Sequence, residues 1–84
     1  MLKRYGITIT DFNSMIIKQS GLCAVCDEQL IKPCLDHDHE TGAVRALLCN
    51  NCNIAIGHLK DDPQRCISAA WYLMQHENAE VLHD

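Results

Sequence analysis

Residues 23–26 read Cys-Ala-Val-Cys, residues 49–53 read Cys-Asn-Asn-Cys-Asn, and residues 34–39 between them read Cys-Leu-Asp-His-Asp-His. Two CxxC pairs offer four thiolates, the number that closes a tetrahedral zinc site. An ion held by Cys23, Cys26, Cys49 and Cys52 would pin both ends of the intervening segment together. Four protein ligands leave no open coordination position, so such a zinc is structural. What remains is Asp and His inside the pinned segment and, directly after the last cysteine, Asn53. Those residue types hold a hard cation and move protons. The stretch therefore separates a structural metal from a second, chemically active one.

The chain has 84 residues, which sets the expectation of one domain over residues 1–84. So small a fold buries little apolar surface and commonly needs a staple. Structural zinc contributes roughly 10–16 kcal/mol of apparent binding free energy in small peptides, enough to decide whether a chain folds. A hydrophobic content of 48% argues against wholesale disorder. Six cysteines could also form a secreted disulfide framework. The opening MLKRYGITITDF, however, lacks the apolar run of a signal peptide. No stretch approaches the ~20 apolar residues of a membrane span. CxxC pairs without an export signal point to metal in a reducing cytosol. A redox-active CxxC would leave the second pair unexplained. The 22 residues between Cys26 and Cys49 exceed the ~15–20 of the usual double knuckle, and an inserted hairpin explains the excess.

A net charge of −4 does not describe a general nucleic-acid binder. Thiolates on zinc would make the balance more negative. Affinity for phosphate must then come from a local basic group or a bound divalent cation.

Periodicity and punctuation place the elements. Residues 10–20 predict a short amphipathic helix, with Thr10 as N-cap, Phe12, Met15 and Ile16 on one face, and Gly21 beyond its end. Leu30–Leu35 predicts a strand that Pro33 confines to an edge. Glu40-Thr41-Gly42 is a turn signal, and Val44–Leu48 suits a second strand. The second knuckle opens a helix over Asn50–Gly57. Asp62 and Pro63 suit the N-cap and first position of a last helix, whose Ile67, Ala70, Trp71 and Met74 form a packing face. Trp71 is expected in the core. The acidic tail, about 77–84, is expected to fray. The expected fold is a small α+β, zinc-stabilised domain: strand, turn, strand and helix, with a helix on each flank.

Each chemical residue has a plainer alternative. Asp36, His37, Asp38 and His39 could be a solvated polar turn. Their position after a strand inside the pinned segment favours a site instead. A carboxylate suits Mg²⁺ and a neutral imidazole is a good base near pH 7. Asn53 could be an ordinary helix residue, yet its amide oxygen is also a hard-cation ligand. Arg45 could be a surface side chain or, opposite the Asp-His run, a phosphate contact. Cys34 and Cys66 read as small buried hydrophobes, and His58 and His76 as surface residues.

The string LDHDHETGAVRALLCNNCN, preceded by CAVC and followed by IG and DDP, resembles the recombination endonuclease VII family of tailed phages. That family belongs to the HNH-like, ββα-metal (His-Me finger) nucleases. The resemblance covers roughly residues 4–75 and includes the RYGIT opening. It implies zinc on Cys23, Cys26, Cys49 and Cys52, and a catalytic Mg²⁺ or Mn²⁺ on Asp36 and Asn53. It implies His37 as general base, and His39 as a further motif histidine, in phosphate contact. It implies Mg-dependent endonuclease action on DNA, including branched or nicked phage DNA, leaving 5′-phosphate and 3′-hydroxyl ends. The setting implied is the cytoplasm of a phage-infected or prophage-carrying bacterium. The chain departs from the pattern at Cys34, where His is common, and at Ala46, where Gly is usual. It ends at Asp84 without the long helical region of the junction-resolving members, which bears on branched substrates more than on phosphodiester cleavage. A homodimer or partner protein gripping through the last helix is a related expectation. The competing class is a catalytically silent zinc module that binds nucleic acid or protein.

Overall fold

The computed structural model describes residues 6–77. The expected match of Arg4 and Tyr5, and the tail beyond Glu77, lie outside the described residues. The elements run α1 (Ile9–Lys18), β1 (Cys34–His37), β2 (Val44–Leu48), α2 (Asn50–His58) and α3 (Pro63–Gln75). This is a small α+β arrangement, with one two-stranded antiparallel sheet and three helices among the described residues. The chain divides between Ile54 and Ala55 into two compact units. None of the helices among the described residues is long and apolar enough to cross a membrane.

In the first unit, α1 starts one turn-half earlier than the sequence predicts. Thr8, not Thr10, is the N-cap. Its hydroxyl accepts from the Asp11 N–H at 3.0 Å, and the Asp11 carboxylate accepts from the Thr8 N–H at 3.0 Å. Such a reciprocal box needs an acid three residues after the cap, and Thr10 has Asn13 there. Phe12, Met15 and Ile16 are half-buried, as the periodicity requires, while Ile9 and Ile17 face out. The helix ends through Ser20 and Gly21, both left-handed, and the Gly21 N–H donates back to the Ile16 carbonyl at 2.9 Å.

Gln19 caps α1 and ties it to the sheet. Its amide N–H₂ donates to the carbonyls of Leu22 at 2.8 Å and Leu47 at 2.9 Å. Its amide oxygen accepts from the Leu47 N–H at 2.9 Å. One carboxamide thus satisfies both backbone groups of a fully buried strand residue, as a neighbouring strand would. The first knuckle follows. The Cys23 N–H donates to Glu28 at 2.8 Å, and the Leu30 N–H to Gly21 at 2.8 Å. Leu22 and Gln29 form an isolated bridge, and Asp27 turns the chain at a left-handed φ of 63°.

The predicted strand Leu30–Leu35 is displaced to Cys34–His37. Pro33 has no N–H to offer a ladder, so regular pairing begins just after it. The second strand, Val44–Leu48, lies where the sequence places it. Cys34 faces Leu48, Leu35 faces Leu47 and Asp36 faces Ala46, but His37 faces Val44. The register slips between Asp36 and His37, so Arg45 is the extra residue of a β-bulge. The turn is built by Asp38, whose carboxylate accepts from the N–H groups of Glu40 at 2.8 Å and Thr41 at 3.0 Å. Gly42 closes it at a φ of 76°.

The buried hydrophobic residues among those described are Cys23, Leu35, Leu47 and Leu48. Cys34 and Cys66, expected as buried, are only half-buried. In the second unit, Asp62 caps α3 by accepting from the Gln64 N–H at 2.9 Å, with Pro63 at the first position, as predicted. The expected core position of Trp71 is not realised: it is 60% exposed, and Ile67 and Met74 are likewise exposed. Helical spacing aligns apolar side chains on one face but does not supply a surface to cover them.

Gln19→Ala should destabilise the fold by about 1–3 kcal/mol, because it strands the N–H of buried Leu47 and leaves the Leu47 carbonyl to the Ala24 N–H alone. Urea unfolding of the zinc-loaded protein measures it, and an unchanged midpoint would show that the carboxamide is dispensable.

Candidate functional site

The two knuckles meet in space. The sulfurs of Cys23, Cys26, Cys49 and Cys52 all lie within 4.8 Å of one another, and Cys26 Sγ is 3.8 Å from Cys49 Sγ. A disulfide needs about 2.05 Å between sulfurs. A tetrahedron with metal–sulfur bonds of ~2.3 Å has edges of about 3.8 Å. The spacing therefore fits four thiolates around one ion, and the six cysteines are free of disulfides.

Backbone N–H groups converge on these sulfurs. Cys23 Sγ accepts from the N–H of Cys49 at 3.3 Å and of Val25 at 3.5 Å. Cys49 Sγ accepts from the Cys52 N–H at 3.4 Å, in the manner of an N-cap side chain on α2. The positive end of that helix favours a thiolate. Burial alone would raise the Cys23 thiol, but donors from Cys26, Cys49 and Val25 outweigh it and hold it at about 6. Burial, reinforced by the sulfurs of Cys49, Cys26 and Cys23, pushes Cys52 up to about 12. Sulfurs this close resist shared ionisation unless a cation compensates them. The cluster has the donor type, number and spacing to hold a structural metal such as zinc.

The cluster is tied to β2 from two sides. The Ala24 N–H donates to the Leu47 carbonyl at 3.2 Å, joining the first knuckle to β2. β2 runs directly into Cys49 and α2. Asn53 follows Cys52 on the first turns of α2, half-buried, its N–H donating to the Cys49 carbonyl at 3.0 Å. The cysteine cluster, Asp36, His37 and Asn53 all fall in the first unit.

The acidic and imidazole run does not act as one group. Asp36, half-buried, turns to Arg45: Arg45 Nε donates to Oδ2 at 2.6 Å and Nη2 to Oδ1 at 3.0 Å. Asp38 folds back on the turn, and the N–H groups of Thr41 and Glu40 hold its carboxyl below the usual carboxylate range. The rings of His37 and His39 lie close, centroids 4.9 Å apart and tilted by 54°. Of the four, Asp36 and His37 occupy β1, and His39 lies beyond its end. The sequence therefore anticipates Asp36 and Arg45 as neighbours of the site but misses their pairing. Only the bulge aims Arg45 at that carboxylate, and a bulge leaves no mark in the residue pattern. Gln19, the other missed residue, reads in sequence as an ordinary helix end.

Cys23→Ser should lose zinc and cooperative folding together, whereas Cys66→Ser should retain a zinc-to-protein ratio near that of the parent. Metal analysis and thermal melts of the two purified variants measure this. Equal zinc content in both would rule the cluster out as the metal centre.

Comparison with known proteins follows the same residues. The chain is 34% identical over 86 residues to the Gene 59 proteins of Mycobacterium phages D29 and L5. The matches cover 98% of this chain and 52% of each relative, so the chain spans about half the length of the curated relatives it matches. Residues 1–75 match the model of recombination endonuclease VII, a stretch that contains both knuckles, the Asp-His hairpin and Asn53, and the chain belongs to that family.

Proposed function

We propose that residues 1–84 form a single zinc-anchored ββα-metal (His-Me finger) domain that hydrolyses DNA phosphodiester bonds with one divalent cation. What carries this reading is the position of Asp36 and His37 at the end of β1, in a hairpin whose second strand runs into the four-sulfur cluster. Membership of the recombination endonuclease VII family supports nuclease action in phage recombination.

The donor set fits a hard cation. Mg²⁺ is commonly held by one or two carboxylates and completes its shell with water and substrate phosphate. Asp36 would supply the carboxylate and Asn53 the amide oxygen. A cation bound there would neutralise charge on the scissile phosphate and on the leaving 3′-oxygen. His37 would take the proton from the attacking water, leaving a 5′-phosphate and a 3′-hydroxyl. His39, whose ring lies against His37, would contact phosphate and steady that ring. The structural zinc takes no part in the chemistry, because four thiolates fill its coordination.

The substrate class is duplex, branched or nicked DNA, encountered in the cytoplasm of a phage-infected or prophage-carrying bacterium. The net charge of −4 makes a long-range grip on DNA weak. Association with a second copy or a partner protein through α3 would add grip, and the exposed Ile67, Trp71 and Met74 support that surface. The same acidic balance favours one rival, a catalytically silent zinc module. A plasmid-nicking assay with Mg²⁺ or Mn²⁺ separates the two: folded, zinc-loaded protein that never produces open circles is such a module.

General-base action is worth about 10²–10⁴ in rate, so His37→Ala should cut DNA slower by that order while keeping its zinc. Single-turnover cleavage with excess Mg²⁺ measures it, and wild-type speed would remove His37 from the mechanism. Mild chelation should abolish cleavage well before it releases zinc or unfolds the chain. Simultaneous loss of all three would contradict two separate metal roles.

A further inference from the structure

The residue that faces the proposed cation site most directly is a cation itself. Arg45 engages both oxygens of Asp36, at 2.6 and 3.0 Å, in the fork geometry that guanidinium and carboxylate share. The pair is unequal in exposure, with the Asp36 side chain 12% exposed and that of Arg45 37% exposed. The carboxylate is therefore held in place, whereas the guanidinium borders solvent. Arg45 owes its aim to the bulge, since it is the unpaired residue between the Ala46 and Val44 registers. No other salt bridge to Asp36 is found among the described residues.

A divalent cation needs at least one of those two oxygens. It also suffers repulsion from a guanidinium a few ångströms away, which a half-buried setting screens less than water does. A phosphodiester, conversely, offers a guanidinium the same forked pair of anionic oxygens that a carboxylate does. We propose that Arg45 and the divalent cation compete for Asp36, and that the displaced guanidinium passes to the DNA phosphate, so that cation entry and phosphate capture are one exchange. This rests on the reading of Asp36 as a cation ligand. It gives Arg45 a positioning role in which its two effects have opposite signs: it weakens cation binding by the free protein and strengthens binding of DNA. Arrival of a phosphate would draw Arg45 off the carboxylate and favour cation binding where substrate is already present.

Mn²⁺ titration of the zinc-loaded protein, read from the electron paramagnetic resonance signal of the free ion, tests the exchange without reference to cleavage. Arg45→Ala should bind Mn²⁺ roughly 5-fold or more tightly than wild type, the scale of a forked, partly exposed ion pair. Arg45→Lys, which keeps the charge but loses the fork, should fall between them. Fluorescence anisotropy with a duplex oligonucleotide in Ca²⁺ should show weaker DNA binding by Arg45→Ala. If Arg45→Ala holds Mn²⁺ no better than wild type while Asp36→Asn loses it, competition is overturned and the cation site stands. If Asp36→Asn binds Mn²⁺ like wild type, the cation reading of Asp36 itself falls. If Arg45→Ala binds Mn²⁺ more tightly yet grips DNA equally well, the transfer to phosphate is overturned. Arg45→Lys supplies the same Mn²⁺ comparison should Arg45→Ala fail to fold: affinity equal to wild type then overturns the competition.

Discussion

Sulfur atoms drawn to within 4.8 Å of each other repel as thiolates, and around buried Cys23 there is little water to relieve them. A tetrahedral cation bound there would convert that liability into a tie across the first unit. The tie matters because little else could replace it. The buried hydrophobic set among the described residues is Cys23 and three leucines, and Cys23 is itself a member of the cluster. A hairpin of four- and five-residue strands is marginal alone in water. Here β2 is held twice: the first knuckle bonds to Leu47, and the second grows out of β2 into α2. Gln19 closes the remaining open edge at Leu47.

With β2 held, the far end of the hairpin is where chemistry can be displayed. Asp38 spends its carboxylate on the turn, accepting from two backbone N–H groups. That anchors the chain on either side of it and leaves Asp36, His37 and His39 to present their side chains from a fixed frame. The bulge between Asp36 and His37 breaks the regular alternation of the strand within the candidate site. Bulges often re-aim side chains beside functional sites, and this one directs Arg45 onto Asp36. A carboxylate already paired is also a carboxylate already oriented, so the ion pair shapes the candidate site as much as it occupies it.

The family assignment adds weight unevenly. It spans both knuckles and the Asp-His hairpin, so it bears on the arrangement of the first unit. The relatives from the two mycobacteriophages are about twice the length of the matched stretch. Substrate shape and assembly belong to whole proteins, and for this chain they stand as proposals.

Much of this molecule was written in local pattern. Cysteine spacing announced the four-sulfur cluster, because zinc asks only for four soft donors in two short loops. Asp62-Pro63 announced the start of α3, and Val44–Leu48 its strand, because caps, proline and β-branched runs act through neighbouring residues. The first cap was less legible: Thr10 read as the cap, and the reach of Asp11 puts it at Thr8 instead. What tertiary structure alone decided are the partnerships across distance. Gln19 meets Leu47 across 28 residues, Arg45 meets Asp36 through a slipped register, and Trp71 stays exposed on a face that periodicity marked for burial. Spacing fixes which side chains share a face, a matter of backbone geometry. What lies opposite that face depends on how the rest of the chain folds, and no local residue pattern encodes it.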